Sequence, residues 1–124
     1  MDWDVALVGR RILVVEDELL VAEYLGEILH GAGALVLGPL GRVAETLAFL
    51  EEHKDGLDAV VLDVNLHGQS SFPIADVLIR RGIRFVFTTG YDGAAMDEAY
   101  RSYPRCEKPF REEALLAALS PATA

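Results

Sequence analysis

Short apolar runs recur along the chain, and most of them end on a residue that can carry a charge or a hydroxyl. Ile12-Leu13-Val14-Val15 leads into Glu16-Asp17, and Ala59-Val60-Val61-Leu62 leads into Asp63. Phe85-Val86-Phe87-Thr88 leads into Thr89-Gly90, and a brief segment around Cys106 leads into Lys108-Pro109. Strands buried on both faces of a parallel sheet read as continuous apolar runs of this length. The runs therefore predict strands at about 11–16, 58–62, 84–88 and 105–107, with a further one at 34–37 ending at Gly38-Pro39.

Between them the apolar spacing becomes helical. A helix is expected over about 18–30, with Leu20, Tyr24, Leu25, Ile28 and Leu29 on one face and Gly31 as its stop. Val43, Leu47 and Leu50 form the stripe of a second helix over 43–53. Phe72 to Arg81 reads as a third, with Pro73 accommodated in its first turn. An alanine-rich fourth is expected over 94–102, with Asp92-Gly93 as a candidate cap or turn, and a fifth over 111–119. The segment Asn65-Leu66-His67-Gly68-Gln69 reads as a loop. Strands alternating with helices imply a parallel sheet covered on both faces. Residues 1–10 read as a short leader that packs Trp3 or Val5 onto the body, 11–120 as one domain and 121–124 as a tail.

Composition narrows the function classes. The chain has 124 residues and a formal net charge of −9, with Arg10-Arg11 and Arg80-Arg81 as isolated basic pairs. That balance speaks against nucleic-acid binding through the general surface. No apolar stretch approaches the roughly 18 residues of a membrane span, so no membrane insertion is expected. One cysteine forms no internal disulfide, and a cytoplasmic setting is expected. His30, His53 and His67 lack metal-ligand spacing and read as surface residues.

Open α/β sheets bind ligands beyond the carboxyl ends of their strands. Glu16, Asp17, Asp63, Thr89 and Lys108 would all meet at that edge. Gathered carboxylates repel one another unless a cation compensates, and hard oxygen ligands suit Mg2+. One of the carboxylates could then serve as a nucleophile toward a phosphoryl group. The charge on the transferred group calls for a cation and a hydrogen-bond donor, which Lys108 and Thr89 could supply. Gly90 would leave room beside them. Glu18, just past the acid pair, is expected to favour the helix N-terminus.

These motifs resemble the receiver domains of two-component response regulators. Arg11-Ile-Leu-Val-Val-Glu-Asp-Glu18 looks like the acidic motif of the first strand, and Val61-Leu-Asp63 like the phosphoacceptor strand. Thr89-Gly90 resembles the hydroxyl-plus-small-residue motif, and Lys108-Pro-Phe110 the lysine motif. The resemblance spans about Arg11 to Leu119. It implies an α/β, flavodoxin-like (βα)5 doubly wound sandwich with a five-stranded parallel sheet in the order 2-1-3-4-5. It implies a phosphoryl group accepted on Asp63 from a histidine kinase or phosphotransfer protein, and a downstream partner protein. Mg2+ would be held by Asp17 and Asp63 directly, by Glu16 through water and by the backbone carbonyl of Asn65. Lys108 would contact the phosphoryl oxygens, the Thr89 hydroxyl would move to bond one of them, and Lys108-Pro109 would be cis.

Two departures stand out. The family's usual switch aromatic, three positions before the lysine, is here Arg105. Phe87-Thr88-Thr89-Gly90-Tyr91 resembles the Phe-Ala-Thr-Gly-Tyr variant of stand-alone α-proteobacterial receivers, with Thr88 in place of alanine. Asn65 and Tyr91, each two residues past a site residue, occupy positions that tune hydrolysis in the family. Three other readings compete with a stand-alone signalling module: a receiver cut from a hybrid kinase, an aspartate-nucleophile Mg-dependent phosphohydrolase, and a flavin binder. For the flavin binder, Glu16-Asp17-Glu18 would repel a phosphate.

Overall fold

The computed structural model describes residues 5–90 and 97–120. Its central sheet is built from β1 (Arg11–Val15), β2 (Leu35–Leu40), β3 (Ala59–Asp63), β6 (Arg84–Thr89) and β7 (Arg105–Glu107). All neighbours pair in parallel, in the order β2-β1-β3-β6-β7. A two-stranded antiparallel ribbon, β4 (Asn65–Leu66) and β5 (Gln69–Ser70), lies outside that sheet. Setting it aside, the order is the expected 2-1-3-4-5.

Burial on both faces explains why these strands are apolar throughout: β3 is buried at every position. Alternate side chains feed two cores. Ile12, Val14, Val61, Val86 and Cys106 pack with α1 (Leu19–Gly31) and α4 (Glu112–Leu119). Leu13, Val60, Leu62, Phe85 and Phe87 pack with α2 (Val43–Glu52) and α3 (Phe72–Arg81). The fold is thus doubly wound.

Several expectations are corrected. The buried face of α1 is Ala22, Leu25, Ile28 and Leu29, whereas Leu20 is 80% and Tyr24 45% exposed. Leu20 stands two residues before Ala22, about half a turn round the helix, so both cannot face the sheet. Gly31 closes α1 in helical conformation, and the positive φ of +93° falls on Gly33. Strand β2 continues through Gly38-Pro39, a cis bond. Gly38 has φ +91°, and a Cβ there would lie 2.6 Å from the Val14 carbonyl oxygen, so only glycine lets β2 run this close to β1. The loop expected after Asp63 is the β4–β5 ribbon. In the leader it is Leu7 that is buried, while Val5 is exposed and Trp3 lies outside the described residues. Of the expected fourth helix, the described residues form only a 3-10 turn at Glu98–Tyr100, capped by Asp97 through the Ala99 N–H. Asp92 and the Ala94-Ala95-Met96 start lie outside the described residues.

Candidate functional site

The register of the sheet brings the acidic residues and Lys108 together. Val15 pairs with Leu62, so the next residues, Glu16 and Asp63, emerge side by side from β1 and β3. Asp63 pairs with Thr88 on β6, which places Thr89 at the same edge. Thr89 in turn pairs with Glu107, and the Lys108 N–H donates to the Thr89 carbonyl at 2.8 Å. The Lys108-Pro109 bond is cis, as the resemblance implies.

At the centre the Lys108 ammonium lies 2.7 Å from Asp63 Oδ2 and 2.9 Å from Glu16 Oε1. The first contact is a hydrogen bond and the second a close ion pair, so one ammonium serves both buried carboxylates. Glu16 is only 3% and Asp63 5% exposed. Burial pushes the Glu16 carboxyl up to about 7; the Lys108 contact and the Glu18 N–H oppose this, and the Asp63 charge adds to it. Burial alone would lower the Lys108 ammonium, but the bonds and charges of Asp63 and Glu16 outweigh it and hold it raised. Asp17 also feels burial, yet is held below its ordinary value, chiefly by the His67 N–H, which donates to Oδ2 at 2.9 Å.

The other carboxylate oxygens are held by backbone. The Asn65 N–H donates to Asp63 Oδ1 at 2.9 Å, and the Glu18 N–H to Glu16 Oε2 at 3.0 Å. The Asn65 side chain accepts from Gly68 N–H at 2.8 Å, which tightens the ribbon turn where His67 adopts φ +50°. That turn is what carries the His67 N–H to Asp17. The Thr89 hydroxyl donates to the Gly90 carbonyl at 2.9 Å, and among the described residues nothing beyond its chain neighbours lies within 4 Å of a Cβ built on Gly90.

Two buried carboxylates on one ammonium, with Asp17 alongside, leave the cluster net negative. A buried Glu16 carboxyl that shares its ammonium with Asp63 and is raised by burial is what an added cation would relieve. Carboxyl oxygens of Glu16, Asp17 and Glu18 lie within 4.8 Å of one another. The donor set is all oxygen, so the residues fit Mg2+.

The remaining candidates divide. Arg105 is exposed on edge strand β7, opposite Phe87 in register, so no aromatic fills that position. Tyr91 lies outside the described residues. Cys106 is buried, which pushes its thiol up. Two features escaped the sequence reading. Glu18 is the N-cap residue of α1 but makes no side-chain cap bond, and its carboxylate stands 4.0 Å from Lys108 Nζ. Tyr100 stacks on Phe72, with ring centroids 4.2 Å apart, and donates to Asp76 Oδ1 at 2.6 Å. The aromatic residues themselves, at irregular spacing, gave no periodic cue to that pairing.

A parallel five-stranded sheet with an acid pair, a third carboxylate and a lysine at its carboxyl edge defines a flavodoxin-like fold with its candidate site where such sheets bind ligands. Comparison narrows this further. The solution structure of SdrG from Sphingomonas melonis Fr1 superposes with a TM-score of 0.78 at 41% identity, covering 92% of this chain and 97% of that one. A response regulator receiver domain protein from Clostridium thermocellum has the same fold, with a TM-score of 0.75 at 22% identity over 89% of this chain and 90% of that one. The transcriptional regulatory protein PdtaR of Mycobacterium tuberculosis is 32% identical over 78 residues, 63% of this chain and 37% of its own length. The chain belongs to the receiver domains of two-component response regulators. It spans less than half the length of the curated relatives it matches. No family model matches the chain.

Proposed function

We propose that the chain is a receiver that accepts one phosphoryl group on Asp63 from a histidine kinase or phosphotransfer protein and changes its partner-binding surface in response. The observation that carries this reading is the Lys108 ammonium held between buried Asp63 and Glu16, at 2.7 and 2.9 Å. Asp63 is the nucleophile, because Lys108 and the Asn65 N–H orient its two oxygens. Mg2+ would be held by Asp17 and Asp63, by Glu16 through water and by the Asn65 carbonyl; when bound, it supplies charge neutralisation for the phosphoryl oxygens. Lys108 supplies the second positive charge, and the Thr89 hydroxyl leaves the Gly90 carbonyl to donate to a phosphoryl oxygen.

With Arg105 exposed, the output surface is altered by a route other than an aromatic flip at that position. The Phe87-Thr88-Thr89-Gly90-Tyr91 segment supports placement among stand-alone receivers of the Phe-Ala-Thr-Gly-Tyr type, and likeness to SdrG, for which a BeF3-activated conformation is known, supports a site that takes a phosphoryl group. Asn65 and Tyr91 set the lifetime of the phosphorylated state in this reading. An aspartate-nucleophile hydrolase is the weaker alternative, since Asn65 offers an amide where proton transfer needs an acid; self-catalysed turnover is accordingly slow. The module works in the cytoplasm, where kinase phosphodonors are made. A small phosphodonor with Mg2+ should add one phosphoryl group to the wild type and none to Asp63→Asn. Undiminished labelling of the variant refutes the reading.

A further inference from the structure

Glu18 stands one residue ahead of α1, where a side chain ordinarily caps a helix, yet its carboxylate makes no cap bond. It lies instead 4.0 Å from Lys108 Nζ, with its side chain 68% exposed. A groove of about 510 Å3 opens at this point; Glu18, Gly90 and Lys108 line its polar end, and Leu20, Tyr24 and Phe110 its apolar end. Lys108 therefore faces two buried carboxylates and one at the surface.

The buried pair and the surface acid do different things. Glu16 and Asp63 hold the ammonium and are part of the phosphoryl chemistry. Glu18 contributes charge at the mouth, and among the described residues its carboxylate makes no cap bond and lies 4.0 Å from the Lys108 ammonium. Four acidic side chains, Glu16, Asp17, Glu18 and Asp63, gather around one lysine, so the formal charge stays negative by one even with a divalent cation added. A like-charged mouth lowers the local concentration of anions.

Resting on the phosphoacceptor reading above, we propose that Glu18 determines phosphodonor choice: its charge, held beside Lys108 at the mouth of the groove, disfavours small, highly charged phosphodonors. A protein phosphodonor offsets that repulsion by docking; a free small molecule does not. In either case an Asp63 oxygen attacks phosphorus. With acetyl phosphate the P–O bond breaks and acetate leaves with the bonding pair. With phosphoramidate the P–N bond breaks and ammonia leaves with that pair, its nitrogen already protonated.

The two donors supply the test, because acetyl phosphate is a dianion and phosphoramidate carries a single net negative charge. Initial phosphorylation rates are measured at saturating Mg2+ for the wild type, Glu18→Gln and Glu18→Asp. Glu18→Gln should raise the acetyl phosphate rate about fourfold and the phosphoramidate rate about twofold, and both gains should vanish in about 1 M salt. Glu18→Asp should keep the wild-type ratio of the two rates. Unchanged rates, equal gains with both donors, or gains that survive high salt overturn the role of Glu18 while leaving Asp63 as the acceptor. A wild type that takes no phosphoryl group from either donor overturns both readings together.

Discussion

Glu16 should make the metal-free protein more stable as the solution becomes mildly acidic, against the usual trend for carboxylates. Its carboxyl is raised from 4.5 to about 7 in the folded chain, with burial as the leading cause. The folded state therefore binds more protons than the unfolded state between those two values, and stability rises as pH falls from 8 toward 5.5. Linkage gives a gain on the order of 2 kcal/mol across that span. Neither Lys108 nor Asp17 interferes in this window. The Lys108 contribution, from a raised value, is fully present below its ordinary 10.5 and is lost only at higher pH. The Asp17 contribution, from a lowered value, is present above its ordinary 3.8 and is lost only at lower pH. Urea denaturation at pH 8, 7, 6 and 5.5 reads the effect as a shift in midpoint. Glu16→Gln, a neutral side chain of the same shape, should lack this component of the pH dependence and be more stable than the wild type at pH 8. Saturating Mg2+ should flatten the wild-type profile, because a cation beside Glu16 favours the ionised form. Parallel profiles for wild type and Glu16→Gln without metal would show that the burial argument for Glu16 is wrong.

Two further outcomes follow from the contacts. Lys108→Met strips the counter-charge from Glu16 and Asp63 and should cost roughly 3 kcal/mol at pH 8. The loss should shrink at pH 5.5 and be largely recovered by adding Asp63→Asn; an unchanged denaturation midpoint at pH 8 contradicts it. Tyr100→Phe keeps the stack on Phe72 but loses the bond to Asp76, and should cost about 0.5–1 kcal/mol. In the wild type, ultraviolet titration should find one phenol pushed up to about 12 by that bond, and the variant should lack it.

The sheet and its ligand edge were readable because both have local causes. A strand buried on both faces cannot carry polar residues until it reaches the edge, so Val15 to Glu16 and Leu62 to Asp63 mark the boundary directly. Once β1 and β3 are neighbours, the meeting of Glu16 and Asp63 follows from register. What escaped depends on three-dimensional competition. Leu20 and Tyr24 are as apolar as Leu25, and only the rotation of α1 on the sheet decides which are covered. The passage of β2 through Gly38-Pro39 depends on how close Val14 lies, which no local pattern encodes. His67-Gly68 is a turn dipeptide that could have suggested the β4–β5 ribbon, but two-residue strands are too short to show alternation. Glu18 stands at the N-terminus of α1 as its position predicts, and what position alone does not show is the lysine ninety residues away that comes within 4.0 Å of its carboxylate.

The site's defining claim is that Asp63, and not Asp17 or Glu16, becomes the acyl phosphate. Borohydride reduction of the phosphorylated protein converts an aspartyl phosphate into homoserine, and peptide mass spectrometry then locates it. The account predicts homoserine at position 63 alone, and only when Mg2+ is present during phosphorylation. Homoserine at position 17, or equal conversion with the metal chelated, would contradict it.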